Sequence, residues 1–164
     1  MTPNQYQLSK KTALLIDVAS KHFQRSFPMP KVEVDMRGKA AGKALLQLNI
    51  IKLNKVLFSE NQQKFIDEVL PHELAHLITY QVFGRVKPHG KEWQYVMVKV
   101  FSIKPERTHT MDVSSVQGKT FEYQCACRNY PLSIRRHNKV LRKENQYTCR
   151  SCGNGLVFTG KQLS

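Results

Sequence analysis

Apolar side chains return every three or four positions along the first stretch of the chain. Leu8, Leu15, Val18, Ala19, His22 and Phe23 follow the 3.6-residue period, which predicts an amphipathic helix over residues 5–25. "FPMPK" ends it, since two prolines cannot continue a helix. "VEVDM" then alternates, with Val32, Val34 and Met36 on one face of a half-buried strand. "RGKAAGK" reads as a turn, and "ALLQLNIIKLN" as one or two more strands that stop at Asn54. Ser59, with Gln62 three positions on, is the expected cap of the next helix, which runs to Phe83 and stops at Gly84. "RVKPHG" is a loop. Trp93, Val96, Met97, Val100 and Phe101 make a second helical stripe. Periodicity fades after Pro105 through "ERTHTMDVSSVQGKT", and residues 121–158 read as short strands around cysteines. The pattern predicts an α+β fold, with one domain over residues 1–118 and a second over 119–164.

A chain of 164 residues, 41% hydrophobic, can bury a core. No apolar run is long enough to span a membrane, and "MTPNQYQLSKK" lacks the form of a secretory signal. A cytoplasmic location without membrane contact is therefore expected. There, four cysteines point to metal ligation rather than disulfides. The net charge is +14. Residues 1–118 carry 17 Lys/Arg against 10 Asp/Glu, and residues 119–164 carry 9 against 2, so half of the excess sits in the shorter part. Such a balance favours a polyanionic partner, nucleic acid above all. No dinucleotide cofactor is expected.

The helix "EVLPHELAHLITY" carries the first chemistry. His72 and His76 lie four apart on one helix face, so both imidazoles can reach one zinc ion. Glu73 is turned away from that shared face but can reach a zinc-bound water and take its proton. A helix packed among Val69, Leu70, Leu74, Ala75, Leu77 and Ile78 has no structural need of three such polar groups. A metzincin would place a third histidine at position 82, which is Val82. His89, Glu92 and His109 are the candidate third ligands. Pro71 predicts a break near Val69–Leu70, because the residue before a proline avoids helical angles and proline is best tolerated in a first turn. The alternative is one helix from about Glu60 with a local kink that leaves the Asp67 carbonyl free.

Cys125-x-Cys127 and Cys149-x-x-Cys152 are separated by the interval of a four-cysteine structural zinc site. His137 could replace one sulfur if the tight first pair is strained. A piece this small needs such a staple to fold. Between the pairs, Arg135, Arg136, Lys139, Arg142 and Lys143 suit phosphate contact, and Tyr123, Tyr130 and Tyr147 could stack on bases.

"VLPHELAHLI", followed by "FGRVKPHGKEW", "RTH" at 107–109, "RRHN" at 135–138 and the cysteine pairs, resembles the SprT-like zinc metalloprotease family. That family includes the protease domain of eukaryotic Spartan, which acts on DNA–protein crosslinks. The resemblance runs from about "AGKALLQLNIIKLN" to the last cysteine pair. It implies a compact zincin-like domain, with helices packed on a small sheet, and a C-terminal zinc ribbon. It also implies His72, His76 and His89 as ligands of a catalytic zinc, Glu73 as the catalytic residue, and substrates among DNA-associated proteins. An extended substrate is expected to join a sheet edge near residues 44–53. The alternative function is a non-catalytic, zinc-containing nucleic-acid-binding module.

Overall fold

The computed structural model describes residues 2–164. The chain divides into two units, Met1–Val116 and Gln117–Ser164. No helix among the described residues is long and apolar enough to cross a membrane.

In the first unit, Thr2 caps α1 (Pro3–Phe23) through a reciprocal box with Gln5. The helix buries Leu8, Leu15, Ile16 and Ala19, and ends where Gln24 takes left-handed angles. Three strands follow: β1 (Lys31–Met36), β2 (Gly42–Leu45) and β3 (Ile50–Asn54). The sheet order is β1-β3-β2, with β1 parallel and β2 antiparallel to β3. The edge expected near residues 44–53 is thus confined to β2, at the start of that range. Only β2 is an edge there; β3 is hydrogen-bonded on both sides.

Asn54 does more than stop a strand. It is fully buried, and its side-chain carbonyl accepts from the Val56 and Leu57 N–H groups, capping α2 (Lys55–Glu60). Its amide donates to the carbonyls of Gly38 (2.6 Å) and Ala40 (3.0 Å). One side chain thus fixes both a helix start and the loop leading into β2. Ser59, expected as a cap, instead lies inside α2 and donates to the Val56 carbonyl. The helix that runs on toward Phe83 starts instead after Asn61, without a side-chain cap.

The motif helix is continuous in hand but not in pitch. A short α3 (Gln62–Lys64) passes through a π-helical turn (Phe65–Val69) into α4 (Leu70–Phe83). Leu70 keeps helical angles (φ −61°, ψ −48°), which corrects the expected break before Pro71. Its N–H reaches back five residues to the Phe65 carbonyl. A proline ring would clash with the carbonyl four residues earlier in a regular helix; the wider turn accommodates it without leaving helical angles. Pro71 then sits in the first turn of α4, where a missing N–H costs little. Another π-helical turn (Val96–Val100) follows α5 (Lys91–Tyr95). Leu70, Leu74, Leu77, Ile78, Trp93 and Val96 are sealed in the core of this unit.

The second unit pairs β4 (Thr120–Gln124) with β5 (Asn129–Ser133) and β6 (Val157–Gln162) in the order β5-β4-β6. The basic segment expected as strand is helix α6 (Ile134–Leu141). Its His137 is buried, stacked on Phe121 at 3.8 Å and bonded through Nδ1 to the Tyr123 hydroxyl at 2.9 Å. The core is small: Tyr123, Leu132, Cys149 and Leu156.

Candidate metal centre

Helix α4 carries His72 and His76 on one face, as the four-residue spacing requires. His89 arrives from a tight turn. Pro88 enters it, the Gly90 N–H donates to the Lys87 carbonyl at 3.0 Å, and His89 itself sits at φ 55°. Left-handed angles cost a side-chain-bearing residue free energy, and here they aim an imidazole. Gly90 cannot be larger: a Cβ there would lie 2.9 Å from the Lys87 carbonyl. The Gln94 amide donates to the His89 carbonyl at 3.0 Å and fixes the turn.

The three Nε2 atoms converge. His72 to His76 is 3.3 Å, His76 to His89 is 3.1 Å, and His89 to His72 is 3.0 Å. A tetrahedral zinc ion with bonds of about 2.0–2.1 Å separates its nitrogen ligands by about 3.3 Å. The protonation pattern agrees. His72 Nδ1 is 3.1 Å from the Glu106 carbonyl, which can only accept, so Nδ1 donates and Nε2 of the neutral ring offers a lone pair. Burial first, then His89, holds His72 down to about 4; burial, then His72 and His89, holds His76 down to about 3. Burial also lowers His89. Neutral imidazoles with lone pairs aimed at one point are a donor set for a cation. The Trp93 ring lies beneath all three, with centroids 4.8, 5.5 and 4.7 Å from His72, His76 and His89. Its Nε1 donates to the His72 carbonyl at 3.3 Å. Of the rival third ligands, neither Glu92 nor His109 joins the cage.

Glu73, one position round the helix from His72, lies against Gly42 at the sheet edge and is 8% exposed. Burial pushes its carboxyl up to about 7, and the Ala44 backbone N–H pulls it part of the way back. Gly42 of β2 lies so close that an added Cβ would stand 2.8 Å from Glu73 Cγ and Oε1. A cleft of about 510 Å³ opens here, lined by His72 and Glu73, by Ala41 and Gly42, and by Arg107 and His109. Sequence reasoning missed Gly42 and the shelf role of Trp93. It noted "RTH" without giving Arg107 or His109 a part beyond rival ligation.

The four cysteines also converge, with all sulfurs within 4.8 Å of one another. Cys125 to Cys127 is 3.5 Å and Cys127 to Cys149 is 3.6 Å. A disulfide needs about 2.05 Å, whereas zinc–sulfur bonds of about 2.3 Å set tetrahedral sulfurs about 3.8 Å apart. Gly153, at φ 72°, turns the second knuckle so that its N–H reaches the Cys149 carbonyl at 2.9 Å. The Tyr130 hydroxyl, then the Cys152 and Ser151 N–H groups, hold the Cys149 thiol down to about 5. Cys125 and Cys149, as neighbours of Cys127, push its thiol up to about 12. Crowded thiols that resist ionising together suit a cation among them. His137 stays apart from this cluster, held by Tyr123.

The basic candidates lie on and after α6. Arg135 and Arg136 are exposed, and Lys139 is half-buried. Arg142 is held by the Glu144 carboxylate at 2.6 Å, and Lys143 follows the helix end at φ 57°. Tyr123 is fully buried and cannot stack on a base; the Tyr130 hydroxyl is engaged with Cys149 at 3.0 Å.

Comparison with known proteins places these two clusters in a family. The SprT-like family model matches residues 12–111, and the SprT-like zinc ribbon domain matches residues 119–160. A protein of Vibrio atlanticus named Protein SprT is 61% identical over 163 residues, covering 99% of this chain and 98% of its own. Those of Vibrio parahaemolyticus and Yersinia pestis, also named Protein SprT, are 64% identical over 149 residues and 54% over 143. They cover 91% and 87% of this chain, and 90% and 84% of their own. No solved structure matches. With the histidine cage in the first matched region and the four sulfurs in the second, the chain belongs to the SprT-like family and carries its zinc ribbon.

Proposed function

We propose that the chain is a zinc-dependent peptidase acting on proteins held on DNA. The observation that carries the reading is a buried carboxylate with no cationic partner, Glu73, lining one cleft with His72 of the three-nitrogen cage. Three protein ligands leave a fourth position for water and substrate, the arrangement of catalytic rather than structural zinc. When bound, the ion supplies Lewis acidity that lowers the pKa of water toward about 7 and polarises a carbonyl.

The chain's own groups do the rest. His72, His76 and His89 hold the ion, and Trp93 and the Glu106 carbonyl hold the histidines. Glu73 takes a proton from the attacking water and returns it to the departing amide nitrogen. A carboxyl poised near 7 suits both directions of transfer. The edge of β2 can add an extended substrate strand beside Glu73. Cys125, Cys127, Cys149 and Cys152 hold a second, structural zinc that folds the ribbon. Arg135, Arg136, Lys139, Arg142 and Lys143 contact DNA phosphates, with Arg142 limited by its pairing to Glu144.

The test strips the protein with a chelator, reloads it with zinc, and mixes it with a protein bound to DNA. New peptide termini should appear only after zinc is restored, and faster with DNA present. DNA binding without any new terminus would favour the non-catalytic nucleic-acid module.

A further inference from the structure

The segment bearing "RTH" is pinned at two points. His72 Nδ1 donates to the Glu106 carbonyl at 3.1 Å, and Lys64 Nζ donates to Thr110 Oγ1 at 2.8 Å. Between them His109 lines the same cleft as His72 and Glu73, yet stands outside the histidine cage. Its Nδ1 is buried without a hydrogen-bond partner among the described residues. A buried N–H with no acceptor is rarer than a buried acceptor with none. Nδ1 therefore keeps a bare lone pair, and the ring carries its N–H at Nε2. Nε2 is thus the ring nitrogen left to donate, on a side chain that lines the cleft. Arg107 lines the same cleft and adds positive potential to it.

We propose that His109 is a catalytic residue of the peptidase described above, donating a hydrogen bond from Nε2 to the carbonyl oxygen of the scissile peptide. The proposal rests on that peptidase reading. As the water oxygen bonds to the carbonyl carbon, the C=O π pair moves onto the oxygen, and His109 meets the charge there. The pair returns as the C–N bond breaks, and the nitrogen leaves with the proton that Glu73 took from water. His109 gives up no proton in the cycle. Donors of this kind act where charge develops, so they raise kcat more than they tighten binding.

Three readouts test it on the zinc-loaded protein. Histidine ¹⁵N NMR, with His109 assigned by its loss in His109→Gln, should show the Nε2–H tautomer. His109→Ala should lose about 10²–10³-fold in kcat, with zinc content kept, KM within about threefold and part of the loss restored in His109→Gln, whose amide can donate. A phosphinic peptide, a tetrahedral mimic whose binding needs no turnover, should bind His109→Ala more weakly by about the same factor as the loss in kcat/KM. The matched ordinary peptide should bind Glu73→Gln protein equally with and without the His109 change. An Nδ1–H tautomer, an unimpaired His109→Ala enzyme, or equal losses for phosphinic and ordinary peptides would overturn the proposal. Failure of the peptidase reading is distinguishable, because there the wild-type protein itself would not cleave.

Discussion

Replacing Gly42 by alanine should separate catalysis from folding. The added Cβ would stand 2.8 Å from Glu73 Cγ and Oε1 and 3.1 Å from Cδ. Ordinary carbon contacts lie at about 3.5–4.0 Å, so the carboxylate must retreat by about 1 Å. Glu73 ends a flexible side chain and can move; the β2 backbone is held to β3 and cannot. The stability change should be small, because alanine in a strand gains about 0.5–1 kcal/mol over glycine, which offsets residual crowding. A 1 Å misplacement at a reacting centre can cost about 10²-fold in rate, and a general base contributes about 10²–10⁴-fold in all. The expected result is a protein with wild-type melting temperature and zinc content whose kcat on a DNA-held protein has fallen about 10²-fold. Wild-type kcat in Gly42→Ala would refute the placement of Glu73. So would an activity loss that merely tracks loss of zinc or stability.

Other expectations are open to direct measurement. In chelated protein, Glu73 has a folded value of about 7 against an ordinary 4.5, so the folded state keeps a proton that the unfolded state has lost. Stability should then fall as pH rises from 4.5 through 7, and Glu73→Gln should be the more stable by about 3 kcal/mol above that window in denaturant titrations. Trp93→Ala removes the shelf beneath three ligand rings, and should cost about 3–5 kcal/mol and weaken zinc retention during dialysis against a chelator. Cys149→Ser should lose one of two zinc ions and open residues 117–164 to hydrogen exchange, leaving protection in α4 unchanged. Reversing Arg135, Arg136 and Lys139 to glutamate should weaken DNA binding and lower the salt slope by about 2–3, read from fluorescence anisotropy across salt concentrations.

The histidine pair on α4 was legible because four-residue spacing on a helix is local information. His89 was harder: its aim depends on φ 55° after Pro88, so spacing alone left Glu92 and His109 open. Gly42 had no local signature, since its closeness to Glu73 comes from a sheet edge built some thirty residues earlier in the chain. Pro71 was misread at Leu70, because a π-helical turn relieves the proline clash while keeping helical angles. Ser59 cannot start a helix because the chain is already helical there, α2 having been opened by Asn54, whose buried side chain serves a helix start and a loop together. The α6 segment reads as strand in sequence although Ile134, His137 and Val140 recur at helical intervals. His137 hid that period, since a titratable residue stacked on Phe121 behaves as an apolar one.

The central claim is that Glu73 works as a base beside a zinc ion held by His72, His76 and His89. The most direct measurement is cleavage of a DNA-held protein by wild-type and Glu73→Gln protein, compared at matched zinc content. Two zinc ions are expected in each, with new peptide termini from the wild type and none from Glu73→Gln. Equal cleavage by the two proteins, or none by a wild type that holds both ions, would contradict it.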